Sequence, residues 1–205
     1  FDTSPILRFS ASAPGIEVKD DPGRPRSFDT ASTPLHNAIV QEHSMSIVTQ
    51  DHIDQYNDRG FFVLERVIPD HHLEMLRAEC TRYIGMIESE MDRQGADVIG
   101  INHRGKRYFI SNRYKESAHI ASFIFSEVMA DICRATLGPS AYLFHEQYVV
   151  KAAEKGMKFG WHQDSGYVGY DHKPYLTCWC TLDDVTVENG TVFMLPYERA
   201  GTRTW

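Results

Sequence analysis

The order of the predicted secondary-structure elements limits the possible folds more than any single motif does. Apolar residues recur at helical spacing over residues 70–93 and again over about residues 119–136. After Gly138 the sequence changes to short β-rich runs, separated by Gly, Pro and Asn-Gly turn signals. Helices followed by a series of short strands predict an α+β fold, in which helices pack on one side of an antiparallel sandwich or jelly roll.

The individual elements can be placed from their end signals and their periodicity. Thr49 can cap a short helix that ends at Gly60, and Asp70 can cap the long helix that follows. One apolar stripe of that long helix predicts core packing, and it consists of Leu73, Leu76, Cys80, Tyr83, Ile84 and Ile87. The predicted strands cover residues 61–64, 107–110, 142–144, 147–150, 175–182 and 191–195.

Residues 1–44 differ in composition from the rest of the chain. Five prolines are spread among Ser, Thr, Asp and Arg, and no periodic apolar pattern is visible. This composition predicts an extended, poorly ordered, upstream or linker segment, with a short docking arm as the alternative. The domain is therefore expected to cover residues 45–205, with Met45 as a candidate natural start. Because the chain ends within strand-rich sequence, we expect it to be a fragment of a longer protein.

Composition and charge give no sign of a nucleic-acid or membrane partner. The 205 residues are 42% hydrophobic and 24% charged, which is ordinary for a globular domain. The net charge is −7 without a basic cluster, and no apolar run approaches the roughly 20 residues of a membrane span, so neither nucleic acid nor membrane is an expected partner. The four cysteines form no C-x-x-C pair, which predicts reduced, buried thiols in a cytoplasmic protein. The alternative is a zinc site that uses Cys178 and Cys180, although their spacing is unfavourable for one.

Residues 160–164, with the sequence Gly-Trp-His-Gln-Asp, carry the strongest chemical signal. Side chains at i and i+2 of a strand point to the same face, so His162 and Asp164 would present an imidazole and a carboxylate together. These are two of the three ligands of a 2-His-1-carboxylate site for non-haem Fe(II). A second such triplet begins at His52 and ends at Asp54, but it lies in a predicted helix. There, residues i and i+2 point about 200° apart and cannot chelate one metal.

Further motifs stand around residues 160–164 in a characteristic order. They are Gly60 with residues 61–64, the helix 70–93, Trp179, Leu182-Asp183-Asp184, and Glu188-Asn189-Gly190-Thr191 followed by residues 193–196. In this combination, residues 45–205 resemble the phytanoyl-CoA dioxygenase family of Fe(II)/2-oxoglutarate-dependent oxygenases. The resemblance implies a double-stranded β-helix, which is a cupin-like jelly roll, with N-terminal packing helices.

The resemblance also implies roles for individual residues. His162 and Asp164 match iron ligands, and Gln147 and Trp179 match contacts of the 2-oxoglutarate cosubstrate. Tyr167, in the loop after the triplet, would lie near the iron and contact the substrate, with a surface turn as the alternative. The implied activity is oxidation of a C–H bond of a small molecule by Fe(II), 2-oxoglutarate and O2, with release of succinate and CO2. Halogenating relatives have a small residue in place of the carboxylate, so the presence of Asp164 implies oxygenation.

One part of the family's pattern is missing. The family has a second His ligand on a late strand and, soon after it, an Arg that pairs with the far carboxylate of 2-oxoglutarate. His172 stands only eight residues after Asp164, and Arg199 and Arg203 come too early to match that Arg. We therefore expect the second His and the Arg beyond Trp205, and we expect this fragment alone to bind iron weakly and to turn over little.

Two other classes of protein stay open. One is a jelly-roll binding or regulatory relative that has lost catalysis, and the other is a different metal enzyme, such as a cupin-like isomerase or a zinc hydrolase. The joint presence of Gln147, His162, Asp164 and Trp179 favours the oxygenase. The sequence does not identify the substrate. Pocket side chains are expected from residues 105–115 and 165–174, where Arg107, Asn112 and Arg113 can equally be surface residues.

Overall fold

The computed structural model describes residues 3–12, 46–152, 160–169 and 175–200. The strands in these ranges are β1 (Thr3–Ser12), β2 (Val98–Ile99), β3 (Asn102–His103), β4 (Arg107–Ser111), β5 (Tyr142–Ala152) and β6 (Leu176–Thr181). The helices are α1 (Gln50–Arg59), α2 (Asp70–Gln94), α3 (Ala118–Ile124), α4 (Glu127–Leu137) and α5 (Tyr197–Ala200), and short 3₁₀ turns cover Arg113–Lys115 and Asp164–Tyr167. The chain is therefore α+β, as predicted.

The six strands form one antiparallel sheet in the order β2-β3-β4-β5-β1-β6. The N-terminal strand β1 lies inside this sheet, between β5 and β6, so that Arg8 is paired with Gln147 on one side and with Trp179 on the other. A jelly roll has two facing sheets, whereas the described residues contain one. The double-stranded β-helix therefore stays a prediction.

Within residues 1–44, which the sequence predicted to be an extended, poorly ordered, upstream or linker segment, Thr3–Ser12 forms the ordered strand β1. Proline is unfavourable inside a sheet because it lacks an N–H donor. Pro5 is tolerated because it pairs only with Val150 of β5, since pairing with β6 starts at Ile6. Residues 13–44 lie outside the described residues, and the domain boundary at residue 45 stays a prediction.

Helices α2, α3 and α4 cover one face of the sheet and form the hydrophobic core with it. Its most buried large side chains include Leu7, Leu76, Tyr83, Ile110, Phe123 and Tyr148. The Tyr148 hydroxyl donates to the Leu76 carbonyl at 3.1 Å, which ties β5 to α2. The predicted apolar stripe of α2 is confirmed, because all six of its residues belong to this core or pack against it. Arg8, Gln147 and Trp179 lie on the opposite face of the sheet, and the candidate site is on that face.

Helix α1 begins and ends as predicted. The Thr49 side chain accepts a hydrogen bond from the His52 N–H, and Gly60 ends the helix in the left-handed conformation, with φ +88°. A Cβ atom at Gly60 would lie 2.6 Å from the ring of Tyr197. Glycine is therefore required there both by the backbone conformation and by the packing of α5 against α1.

Several local predictions are wrong. Asp70 is the first residue of α2, and Pro69 occupies the N-cap position. Residues 119–136 form two helices, because Ser126 adopts an extended conformation with ψ 163° and starts α4. Residues 61–64 and 191–195 form no strand, since neither segment pairs with a strand among the described residues.

The turn at Asn189 and Gly190 forms, but it does not join two strands of the described sheet. The Asn189 side chain accepts from the Thr186 N–H at 2.6 Å, and the Thr191 N–H donates to the Thr186 carbonyl at 3.0 Å. Gly190 has φ +105°, a conformation that glycine adopts without strain. This turn is held by its own hydrogen bonds and contributes no side chain to the site described below.

Glu146 of β5 is a completely buried carboxylate. Its Oε2 atom accepts a hydrogen bond from the Tyr114 N–H at 3.1 Å, while Oε1 has no donor among the described residues. Burial raises the pKa of Glu146, and hydrogen bonds from the Tyr114 and Arg113 backbone oppose that rise. Because the pKa is raised in the folded protein, Glu146 favours folding below its unfolded pKa, and this contribution is lost as the pH rises through the folded pKa.

The substitution Glu146→Gln is expected to flatten the pH dependence of stability. The amide keeps an oxygen for the Tyr114 N–H and cannot ionise, so the variant should be at least as stable as the parent at about pH 8. Urea unfolding at about pH 5 and about pH 8 measures the difference. Glu127→Gln, on the exposed surface of α4, is the control. A Glu146→Gln variant with the parent's pH slope would contradict the prediction.

Candidate metal centre

His162 and Asp164 lie next to each other, although not on a strand. The prediction of a strand through the triplet is wrong, because Asp164 starts the 3₁₀ turn Asp164–Tyr167 and His162 precedes it in an irregular segment. The two side chains nevertheless converge, with 3.7 Å between His162 Nε2 and Asp164 Oδ1. Gln163, between them, has an extended backbone with φ −107° and ψ 137°, so the two side chains point to the same side although no strand is formed there.

A backbone contact fixes the orientation of the His162 ring. Nδ1 lies 2.7 Å from the carbonyl oxygen of Gly160. A carbonyl only accepts hydrogen bonds, so Nδ1 carries the proton and Nε2 of the neutral ring presents a lone pair. Nε2 and Asp164 Oδ1 are thus two electron-pair donors that face each other. A cation between them would satisfy both, and a carbonyl on the other ring nitrogen is the usual support for a metal-ligating histidine.

Arg8 of β1 supplies positive charge to this site. Its Nη1 atom donates to Asp164 Oδ1 at 2.7 Å, and its Nη2 atom donates to Gln147 Oε1 at 2.8 Å. The Gln147 amide nitrogen in turn donates to Ser111 Oγ at 2.9 Å. A continuous polar network therefore runs from β4 through β5 and β1 to the 3₁₀ turn. The side chains of Arg8 and Asp164 are 23% and 25% exposed, so a small ligand can reach their ion pair.

The other predicted site residues lie around this network. Trp179 is directly opposite Arg8 in the antiparallel register, so both side chains are on the polar face. Tyr167, at the end of the 3₁₀ turn, is 77% exposed, and its ring centroid lies 5.4 Å from that of His162. The structure therefore brings together all five residues that the sequence nominated, namely Gln147, His162, Asp164, Tyr167 and Trp179.

The cysteines of β6 are not part of this site. Cys178 and Cys180 alternate with Trp179 and pack against the hydrophobic core. Burial raises the pKa of Cys178 well above its usual value and that of Cys180 to about 12, so both thiols are protonated at neutral pH. All four cysteines lie in the described residues and none is in a disulfide. Cys80 is buried and the other three are partly buried, and the reduced state stays a prediction.

The donor atoms fit a first-row divalent metal in part. Two adjacent ligand atoms of an octahedral ion lie about 3 Å apart when each metal–ligand distance is about 2.1 Å. The observed distance between His162 Nε2 and Asp164 Oδ1 is 3.7 Å, which is somewhat longer. The described residues contain no cluster of three or more His, Cys, Asp or Glu side chains suited to a metal. His172, the weakest candidate for the third ligand, lies outside the described residues, as does Arg203.

Three polar residues of the site were not nominated from the sequence: Arg8, Ser111 and His145. Burial lowers the pKa of His145, the charge of Arg8 lowers it further, and the charge of Asp164 opposes both effects, which places His145 near the ion pair. The short alternation of apolar and polar residues over 7–11, too short to stand out in residues 1–44, indicated a strand at Arg8 but not its place in the site. The i, i+2 spacing of His145 and Gln147 was the signal for His145, because such residues share one face of a strand.

The arginines proposed as substrate contacts in residues 105–115 have other partners. Arg107 donates through Nε to the Ile101 carbonyl at 2.9 Å. Arg113 forms an ion pair with Glu116 at 3.1 Å, and its guanidinium lies 5.1 Å from the ring centroid of Tyr83. These contacts agree with the interpretation of both arginines as surface residues.

The family model for phytanoyl-CoA dioxygenase (PhyH) matches residues 56–204. The match covers well over half of the chain and includes five of the six described strands, β2 to β6, together with the site residues from Gln147 to Trp179. The chain therefore belongs to the phytanoyl-CoA dioxygenase family, whose members typically are Fe(II)/2-oxoglutarate-dependent dioxygenases. No curated protein and no solved structure matched the chain. Among the described residues, no helix combines the length and apolarity needed to cross a membrane.

Proposed function

We propose that the protein is a non-haem Fe(II)/2-oxoglutarate-dependent dioxygenase that oxidises a C–H bond of a small molecule. The observation that carries this proposal is the facing pair of electron-pair donors, His162 Nε2 and Asp164 Oδ1, with the histidine tautomer fixed by the Gly160 carbonyl. Family membership independently supports the same chemistry. The fold proposed for the whole domain is a double-stranded β-helix, of which the described sheet would be one half.

The protein's own residues would hold and orient the reactants. His162 and Asp164 would be two of the metal ligands, and Gln147 and Trp179 would contact 2-oxoglutarate. When bound, Fe(II) would chelate the cosubstrate and activate O2, with release of succinate and CO2. Gln147 is suited to orient a ligand because Ser111 holds its amide group. Tyr167 would contact the substrate, since its exposed ring lies beside His162.

A catalytically inactive binding or regulatory relative is the second candidate, and one contact favours it. The carboxylate of Asp164 is already neutralised by Arg8 at 2.7 Å, so the site is electrostatically satisfied without a metal. In such a protein Asp164 would serve to hold β1 in the sheet. This alternative predicts that Fe(II) neither binds at the site nor promotes the binding of 2-oxoglutarate.

An anaerobic titration of the full-length protein, followed by exposure to O2, distinguishes the two candidates. We expect Fe(II) and 2-oxoglutarate together to give the visible charge-transfer absorption of a chelated 2-oxo acid, and O2 then to convert 2-oxoglutarate to succinate. Substitution of 2-oxoglutarate by glutarate, which lacks the oxo group, is the control and should give neither signal. If Fe(II) and 2-oxoglutarate give no absorption and no succinate, the inactive relative is the better description.

A further inference from the structure

We propose that Arg8 is an autoinhibitory cation, which holds the Asp164 carboxylate and so lowers the affinity of the site for divalent metals. A metal has to displace the guanidinium from Asp164, so β1 regulates metal binding by a residue that stands 156 positions later in the chain. This inference deepens the proposed function and rests on it, because it concerns the access of a metal to His162 and Asp164.

Arg8 and the proposed metal compete for the same oxygen atom. Asp164 Oδ1 accepts a hydrogen bond from Arg8 Nη1 at 2.7 Å, and the same Oδ1 faces His162 Nε2 at 3.7 Å. A metal bound to this oxygen, at the usual distance of about 2.1 Å, would lie within about 5 Å of the guanidinium nitrogen. Two positive charges repel each other at such a distance, and partial burial strengthens the repulsion. Arg8 therefore opposes the metal both by occupying the oxygen and by its charge.

The backbone of Arg8 is fixed, whereas its guanidinium can move. β1 is hydrogen-bonded to β5 on one side and to β6 on the other, so the sheet register holds the Cα atom of Arg8 beside the site. The long side chain has many rotamers. Its second terminal nitrogen, Nη2, donates to Gln147 Oε1 at 2.8 Å, so Arg8 can yield Asp164 and keep Gln147. The contact therefore weakens metal binding without closing the site permanently.

The ion pair is not needed to hold β1 in the sheet. β1 has backbone partners on both sides, and the neighbouring Leu7 is completely buried in the core. The Arg8 and Asp164 side chains are 23% and 25% exposed, and ion pairs of this kind add little to stability. Removal of the Arg8 charge should therefore change the metal affinity of the site and leave the fold intact.

The first test compares the Mn(II) affinities of variants of the full-length protein, measured from the free ion by electron paramagnetic resonance. We expect Arg8→Gln to bind Mn(II) about 10-fold more tightly than the parent, which is the usual size of a hydrogen-bond effect at a charged group. Arg8→Lys keeps the positive charge and should stay close to the parent. Arg134→Gln removes one positive charge from exposed α4, so it controls for net charge and should not change the affinity.

The second test returns the missing group as a free ion. Arg8→Ala leaves space beside Asp164, so guanidinium chloride, at a concentration too low to unfold the protein, should weaken Mn(II) binding by this variant more than by the parent. Tetramethylammonium chloride has the same charge but no N–H donor, and it should not have this effect. Thermal unfolding of each variant shows whether it is folded before its affinity is interpreted.

The outcomes separate this inference from the proposed function. If Arg8→Gln binds Mn(II) only as tightly as the parent, while Asp164→Ala binds it much more weakly, the metal site stands and autoinhibition is overturned. If Arg8→Gln gains Mn(II) affinity but Fe(II) and 2-oxoglutarate give no absorption, autoinhibition stands and the proposed function fails. If the gain persists in the double variant Arg8→Gln/Asp164→Ala, the ion binds elsewhere and the inference is overturned. If no variant binds Mn(II), both fail.

Discussion

Replacing Asp164 by alanine in the full-length protein is expected to abolish 2-oxoglutarate-dependent succinate formation and to weaken divalent metal binding by about 100-fold or more. Loss of a residue that merely supports a ligand typically costs 10- to 100-fold in metal affinity, so loss of a ligand should cost at least as much. The remaining described donor at the site would be His162, whose Nε2 atom lies 3.7 Å from the removed carboxylate. One imidazole does not hold a divalent ion with useful affinity in a site of this type.

The chain contains a matched control for this substitution. Asp54 ends the other His-x-Asp triplet, but it lies on the exposed surface of α1, where its carboxylate accepts a hydrogen bond from Gln50 at 2.9 Å. Asp54→Ala should leave metal binding unchanged. The amount of free Mn(II), measured by electron paramagnetic resonance, gives the Mn(II) affinity of the Asp164→Ala and Asp54→Ala variants. If Asp164→Ala and Asp54→Ala bind Mn(II) equally well, the metal is not held at the proposed site.

The Asp164→Ala variant should stay folded. The Arg8–Asp164 ion pair is partly exposed, and such pairs contribute only about 0–1 kcal/mol to stability. Arg8 keeps its contact with Gln147. A loss of metal binding in this variant would therefore report on the ligand rather than on unfolding, and thermal unfolding of the variant is the check.

The second large effect concerns β1. Replacing Leu7 by alanine is expected to lower the free energy of unfolding by about 2–5 kcal/mol, the usual cost of truncating a buried leucine in a packed core. Leu7 is completely buried, in a cluster with Tyr148 and Leu76. It is paired in register with Tyr148 on β5 and with Cys180 on β6. Urea unfolding measures the change.

An exposed leucine provides the comparison for Leu7. Leu195 is 50% exposed, so Leu195→Ala should change stability by less than about 0.5 kcal/mol. If Leu7→Ala lowers the free energy of unfolding as little as Leu195→Ala does, then β1 is not a strand of the folded sheet. In that case Arg8 is not held at the site.

The candidate site was largely predictable from local patterns, whereas its electrostatic partner was not. His162 and Asp164 stand two residues apart, and Gln147 and Trp179 match single positions of the family, so each could be nominated without knowing what surrounds it. Arg8 could not be nominated in this way, because 154 positions and several elements separate it from His162 in the chain. Only the pairing of β1 with β5 and β6 brings it to Asp164.

Two local errors have the same physical origin. Residues 61–64 and 191–195 have the composition of strands but form none among the described residues. A strand needs a partner for its backbone hydrogen bonds, and composition does not reveal whether a partner is within reach. Conversely, Thr3–Ser12 has prolines nearby and was predicted to be irregular, yet it pairs on both sides.

The sequence by itself determined the α+β class, the apolar stripe of α2, the ends of α1 and the family. These depend on short-range periodicity, capping and motif order, which are properties of neighbouring residues. Tertiary structure alone decided that β1 enters the sheet, that a 3₁₀ turn begins at Asp164, and that Arg8 neutralises Asp164. These features depend on contacts between distant segments, and the free energy of such contacts is set by packing and charge in the folded chain rather than by local sequence.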